Sequence, residues 1–231
     1  MVKNHMKRLA APKTWLIKRK EGKWVTKPTP GTHKLKKCVP LMLIIRDYLG
    51  YANTAKEVRA ILYKKDVMIN NIFRNDASFP VGLMDIITIQ SLKENYILLF
   101  NKKGKLVIKR IDNVEVRLIQ LENKCYIRDG KKQLNFNDGT NILVDDFSKD
   151  CVGDSYLINL IDKKIKHILH LEKKSLVYFT EGINIGRIGR VKEIIDKNVI
   201  CEIDEREYRS EIKKILVLDD YYKNLVEGIN K

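Results

Sequence analysis

Apolar residues along the chain switch period several times, and the switches divide it. Leu41, Ile44, Ile45, Tyr48 and Leu49 recur at helical spacing after Pro40, and Gly50 supplies a stop, so a first helix is predicted there. Thr54 and Glu57 form a T-x-x-E capping box opening a second helix. On that helix Ala55, Val58, Ile61 and Leu62 share one side, while Lys56, Arg59 and Tyr63 fall on the other. The period then shortens to two: Val67 and Ile69 lead into an Asn70-Asn71 turn, and Asp85–Ile89 alternates as a second strand. Further β-type runs follow at Tyr96–Phe100, Lys105–Arg110, Val114–Leu121, Asp154–Ile161 and Lys164–Leu171, with turn signals at Asp129-Gly130, Asp138-Gly139 and Asp162-Lys163. Gly182, Gly186 and Gly189 punctuate a last β region, after which Val199, Cys201 and Ile203 alternate.

Five segments follow from this reading: a basic arm at 1–39, a helix-helix-hairpin unit at 40–91, an antiparallel β region at 92–175, a glycine-punctuated β region at 176–218 and a short tail at 219–231. The fold class is α+β. A hydrophobic share of 44% in 231 residues is enough for real cores.

Charge changes the picture most. The formal net charge is +16 and the pI about 9.6, which points to a polyanionic partner. Residues 1–37 hold twelve Lys and Arg against one acid, Glu21, whereas the rest of the chain is nearly balanced at 33 against 28. The arm is too poor in apolar residues for its own core, so phosphate contacts are expected to order it. Trp15 and Trp24 in that arm either stack on bases or cap the body's core, the second being the simpler role.

The cysteines Cys38, Cys125, Cys151 and Cys201 form no C-x-x-C pair and read as structural. His167 and His170 would pair on a metal only if helical, since on a strand they face opposite sides. The longest apolar run, Leu41–Ile45, is far short of a membrane span, and no secretory leader is present, so a cytoplasmic location is expected. No P-loop, H-E-x-x-H or G-x-S-x-G occurs, so no catalytic residue, metal, cofactor or small-molecule substrate is assigned.

The stretches K-N-H-M-K-R-L-A-A-P-K-T-W, Gly31–Leu41 (G-T-H-K-L-K-K-C-V-P-L), Arg46–Ala52 and Phe79–Ile89 together resemble the archaeal and eukaryotic small-subunit ribosomal protein family S4e. The resemblance is dense through residue 90 and thins in the middle region. It implies that 40–91 is an αL-type RNA-binding domain and that 176–218 is a KOW motif, a small β-barrel. It further implies a monomeric, non-enzymatic constituent of the small ribosomal subunit, with ribosomal RNA and neighbouring ribosomal proteins as partners. Eukaryotic members carry a longer basic tail, so the short one suggests an archaeal-type or reduced form. The alternative is an RNA-modifying enzyme or its RNA-binding subunit, because pseudouridine synthases share the αL-type domain. A transcription-type KOW factor leaves the arm unexplained.

The expected RNA contacts are Lys3, His5, Lys7, Arg8, Lys13, Lys18, Arg19, His33, Lys34, Lys36 and Lys37 of the arm. Arg46, Lys56, Arg59, Lys64, Lys65 and Arg74 follow in the helical unit, and Arg187 and Arg190 in the glycine-rich loop.

Overall fold

The structure, a computed structural model, describes residues 5–112, 115–127, 131–144, 146 and 151–230. Lys3, Val114 and the Asp129-Gly130 turn lie outside them. The chain divides into two compact units. The first comprises residues up to Leu99 together with Lys105–Val114; the second comprises Phe100–Gly104 and everything from Glu115 onward.

In the first unit the leader does not stand apart as an arm. β1 (Met6–Lys7) pairs with β2 (Trp24–Val25), and Met6, Ala11, Trp15 and Val25 are buried. The Trp15 indole N–H donates to the Cys38 carbonyl at 2.6 Å, and the Leu106 amide donates to the Thr14 carbonyl at 2.7 Å. The expectation that the leader needs RNA to order it is corrected here. Its apolar residues are too few for a core of their own, but they join the core of the body. Trp15 has the core-capping role; Trp24 does not, at 53% exposed.

β3 (Cys38–Pro40) runs into α1 (Leu41–Leu43), which continues as a π-helical turn over Ile44–Tyr48. Residues 41–45 are buried throughout, so the first part of this helix is apolar all round and sits inside the unit, while Arg46 and Asp47 reach the surface at its end. Next come α2 (Ala55–Tyr63), β4 (Val67–Ile69), β5 (Ile72–Phe73), β6 (Pro80–Gly82), β7 (Ile86–Ile89), β8 (Glu94–Phe100) and β9 (Leu106–Ile111). β3 pairs with β6, and the main sheet has the order β5-β4-β7-β8-β9. Val67 lies opposite Ile89 and Ile69 opposite Ile87, as their alternation predicts. Where the sequence reading put a boundary at residue 91, the sheet carries on into β8 and β9.

The second unit holds two five-stranded antiparallel sheets. One is built from β10 (Val116–Tyr126), β11 (Lys132–Phe136), β12 (Asn141–Val144), β13 (Ser155–Asn159) and β14 (Ile165–Leu169), in the order β12-β11-β10-β13-β14. The other is built from β15 (Leu176–Phe179), β16 (Ile188–Ile195), β17 (Asn198–Ile203), β18 (Arg206–Glu211) and β19 (Ile215–Val217), in the order β18-β17-β16-β15-β19. Ile119, Leu134, Phe136 and Tyr156 centre the first core; Val177, Phe179, Val199, Cys201, Ile203 and Ile215 centre the second.

The two sheets are stitched by polar groups. Gln120 donates its amide to the Ile212 and Ile215 carbonyls at 3.0 and 2.6 Å, and the Val217 amide donates to Ser155 Oγ at 2.9 Å. α3 (Asp220–Asn230) closes the chain, its Tyr222 hydroxyl donating to the Val116 carbonyl at 3.0 Å. The chain is therefore mostly β with few helices, its α-helical content among the described residues confined to the short elements of the first unit and the closing α3. Among the described residues no helix is long and apolar enough to cross a membrane.

Candidate nucleic-acid interface

One cationic surface lies on α2. Its frame is the capping box: the Glu57 amide donates to Thr54 Oγ1 at 3.3 Å, and the Glu57 carboxylate accepts from the Asn53 and Thr54 amides at 2.8 and 3.4 Å. The Asn53 amide is the largest influence holding the Glu57 carboxyl below its usual range. With the start fixed, Val58 and Leu62 turn into the core at full burial, while Lys56, Arg59 and Lys64 are exposed on the far side. Tyr63 is 85% exposed beside them. It was absent from the expected contacts, although its spacing of four from Arg59 was the signal that could have included it. Lys65, at φ +57° just past the helix, is exposed as well.

The leader's basic residues split into two kinds. His5, Lys7, Lys13, Lys18, Lys34 and Lys36 are exposed and Lys37 is half-buried. Lys18 bonds Glu21 at 2.8 Å, which raises its pKa. The others are turned to structure. Arg8 is buried, its Nε donating to the Lys18 carbonyl at 2.7 Å, with Nη2 3.8 Å from the Asp47 carboxylate. Arg19 gathers the Leu9, Ala11 and Pro12 carbonyls at 3.2, 2.7 and 2.7 Å, closing the turn between β1 and Trp15.

His33 is also drawn inward. Its ring lies 2.9 Å from the Asp85 carboxylate, with both side chains nearly dry. Asp85 also accepts from the Gly82 amide at 2.7 Å and the Asn70 side-chain amide at 2.8 Å, which makes it the knot joining leader, hairpin and β6–β7 turn. The Asp85 side chain is buried, the residue being 1% exposed.

Arg46 binds Asp47 through Nε and Nη2 at 2.8 and 3.1 Å, and that hydrogen bond raises its pKa. Arg74 lies over the Phe79 ring at 4.4 Å, a cation–π contact that leaves it half-buried.

In the second unit Arg190 is exposed and Arg187 half-buried. The glycines beside them shape the loop: Gly186 has φ +80°, and a Cβ there would sit 2.0 Å from the Asn101 carbonyl oxygen. His167 lies on β14 and His170 just past it, its Nδ1 2.9 Å from the buried Asp154 carboxylate. Of the cysteines, Cys38 and Cys201 are buried as expected for small apolar groups, but Cys151 is exposed.

A chain of small β-rich modules, with a basic leader laid over one of them and a capped helix turning lysine and arginine outward, belongs to the class of proteins built to bind a polyanion. Residues 2–36 match the RS4NT (NUC023) domain, and residues 92–165 match the Ribosomal family S4e. The small ribosomal subunit protein eS4 of Archaeoglobus fulgidus is 41% identical over 192 residues, covering 83% of this chain and 80% of the relative. That of Methanocaldococcus jannaschii is 36% identical over 210 residues, covering 87% and 85%. The crystal structure of the 30S ribosomal protein S4e from Thermoplasma acidophilum superposes with a TM-score of 0.68 at 26% identity, covering 79% of this chain and 95% of that one. The chain belongs to the ribosomal family S4e.

Proposed function

We propose that the protein is a non-enzymatic structural constituent of the small ribosomal subunit in the cytoplasm, where it binds ribosomal RNA and touches neighbouring ribosomal proteins. The observation that carries the RNA contact is the division of α2, with Val58 and Leu62 buried and Lys56, Arg59, Tyr63 and Lys64 outward. A face fixed in orientation by a buried stripe holds its cations at helical spacing. Such spacing suits the phosphates of A-form RNA, whose deep groove side chains cannot read.

On this reading the unit around α2 and β4–β7 is an αL-type RNA-binding module, and the sheet β15–β19 is a KOW-type barrel. The exposed Lys7, Lys13, Lys34 and Lys36 of the leader, with the His5 imidazole beside them, extend the contact. Arg190, on the glycine-rich side of β15–β19, supplies a separate one. Arg8, Arg19 and His33 act indirectly, by holding the leader's path.

Crosslinking of RNA to protein in the assembled small subunit tests this. Crosslinks should fall on the α2 face and the exposed leader lysines. A map in which these positions join only protein would overturn the reading.

A further inference from the structure

The hairpin that opens the leader carries an aromatic surface that the fold leaves about half exposed. Trp24 stands on β2 opposite Lys7 and is half in water, whereas Trp15 of the same segment is fully buried. An indole contributes most when its large apolar face is covered. Two groups flank the ring: the His5 imidazole, with centroids 5.7 Å apart and planes diverging by 52°, and Lys23 Nζ, 5.4 Å from the ring centre.

Beside Trp24 opens a groove of about 330 Å³, within the ~300–1,000 Å³ range of small-ligand clefts. Lys27, Arg46, Thr26 and Ser78 help to line it, and among the described residues no acidic one does. Asp47 takes the Nε and Nη2 of Arg46 from one side, which fixes the guanidinium plane at the wall. The leader thus supplies the aromatic wall, and the end of the buried helix supplies the guanidinium.

We propose that this groove receives one unpaired nucleotide of RNA, its base stacked on Trp24 and its phosphate held by Arg46 and Lys27, with the Thr26 and Ser78 hydroxyls toward the sugar. This rests on the RNA-binding reading and adds to it a preference for looped-out or single-stranded nucleotides at one place. A base within a duplex has both faces covered, so only a splayed one can use an indole. An acidic peptide would satisfy the cations but leave the aromatic face unused, which is why the nucleotide is favoured.

The test uses the full chain with a short oligoadenylate and a blunt RNA duplex, following tryptophan fluorescence and affinity at low salt. Oligoadenylate should quench emission, and Trp24→Ala should abolish that quenching and weaken oligoadenylate binding by about tenfold or more. Trp24→Phe should retain most of the affinity, and duplex binding should be unmoved by either change. Because Trp24 lies at the surface, both variants should melt with the wild type.

Unchanged oligoadenylate affinity in Trp24→Ala overturns the groove proposal. If Lys56→Ala/Arg59→Ala still weakens duplex binding in that case, the broader reading survives alone. A wild-type chain that binds neither RNA overturns both. A Trp24-dependent gain for polyglutamate over oligoadenylate would assign the groove to a protein partner and overturn the proposal.

Discussion

Asp85 is where the account makes its sharpest energetic demand. Asp85→Ala removes an acceptor that is 1% exposed and whose donors include the Gly82 amide at 2.7 Å, the Asn70 amide at 2.8 Å and the His33 ring at 2.9 Å. Each donor left unpaired in a dry site costs about 1–3 kcal/mol, though half-buried Asn70 recovers some water. The sum is about 3–5 kcal/mol, the range for breaking a buried charged network by removing one member. That is a fifth or more of the roughly 5–15 kcal/mol that holds a domain folded.

For a unit of this size the melting transition should fall by roughly 12–25 °C, read by calorimetry or circular dichroism on the full chain. Asp85→Asn keeps the shape but aims an NH₂ at a donor, and should cost about 1–3 kcal/mol. His33→Ala leaves the carboxylate its Gly82 and Asn70 donors and should cost about 1–2 kcal/mol. It should also expose the leader to trypsin before the rest of the unit. If Asp85→Ala melts within about 3 °C of the wild type, the leader and hairpin are held by something other than this knot.

Three further outcomes are expected. Gly186→Ala should cost about 2–4 kcal/mol, because it combines φ +80° with a 2.0 Å approach to the Asn101 carbonyl. Gly50→Ala, at φ +71° in open space, should cost only about 1–2 kcal/mol, and urea titration of the pair separates strain from crowding. In thiol labelling at pH 8 with mass mapping, exposed Cys151 should react readily. Cys38 and Cys201, whose pKa values burial raises to about 12 and about 11, should stay unlabelled in the native chain. Because the folded-state pKa of Glu57 is depressed, the capping box contributes fully above its ordinary value near 4.5. That contribution is lost as pH falls through the lowered value, and Glu57→Gln should remove this acid-side component from a pH titration of stability.

Local signals read well from the sequence. The Thr54–Glu57 box, the two-sided α2 and the register of Val67 and Ile69 against β7 depend on neighbours three, four or two residues away, so the chain itself encodes them. Distant pairings did not read. Nothing near His33 marks Asp85, 52 residues on, as its partner. Likewise, nothing near Arg8 marks Asp47. A basic stretch therefore reads as uniformly available, when part of it is spent on the fold.

The leader's order escaped for a related reason. A segment without a core of its own can still be packed by a neighbour's, as Trp15 is against Cys38. The β8–β9 extension was hidden because alternation shows that a strand exists but not which strand lies beside it. Candidate contacts on α2 were legible because exposure there follows from periodicity alone. Arg74 was not, since its ring partner Phe79 lies beyond a turn.

The most direct measurement is the salt dependence of affinity for small-subunit ribosomal RNA, comparing the wild-type chain with Lys56→Ala/Arg59→Ala. Two lost phosphate contacts should weaken binding and reduce the log–log slope by about 1.4–1.8, with the melting temperature little changed. Equal slopes in the two proteins would contradict the assignment of that helix face to RNA.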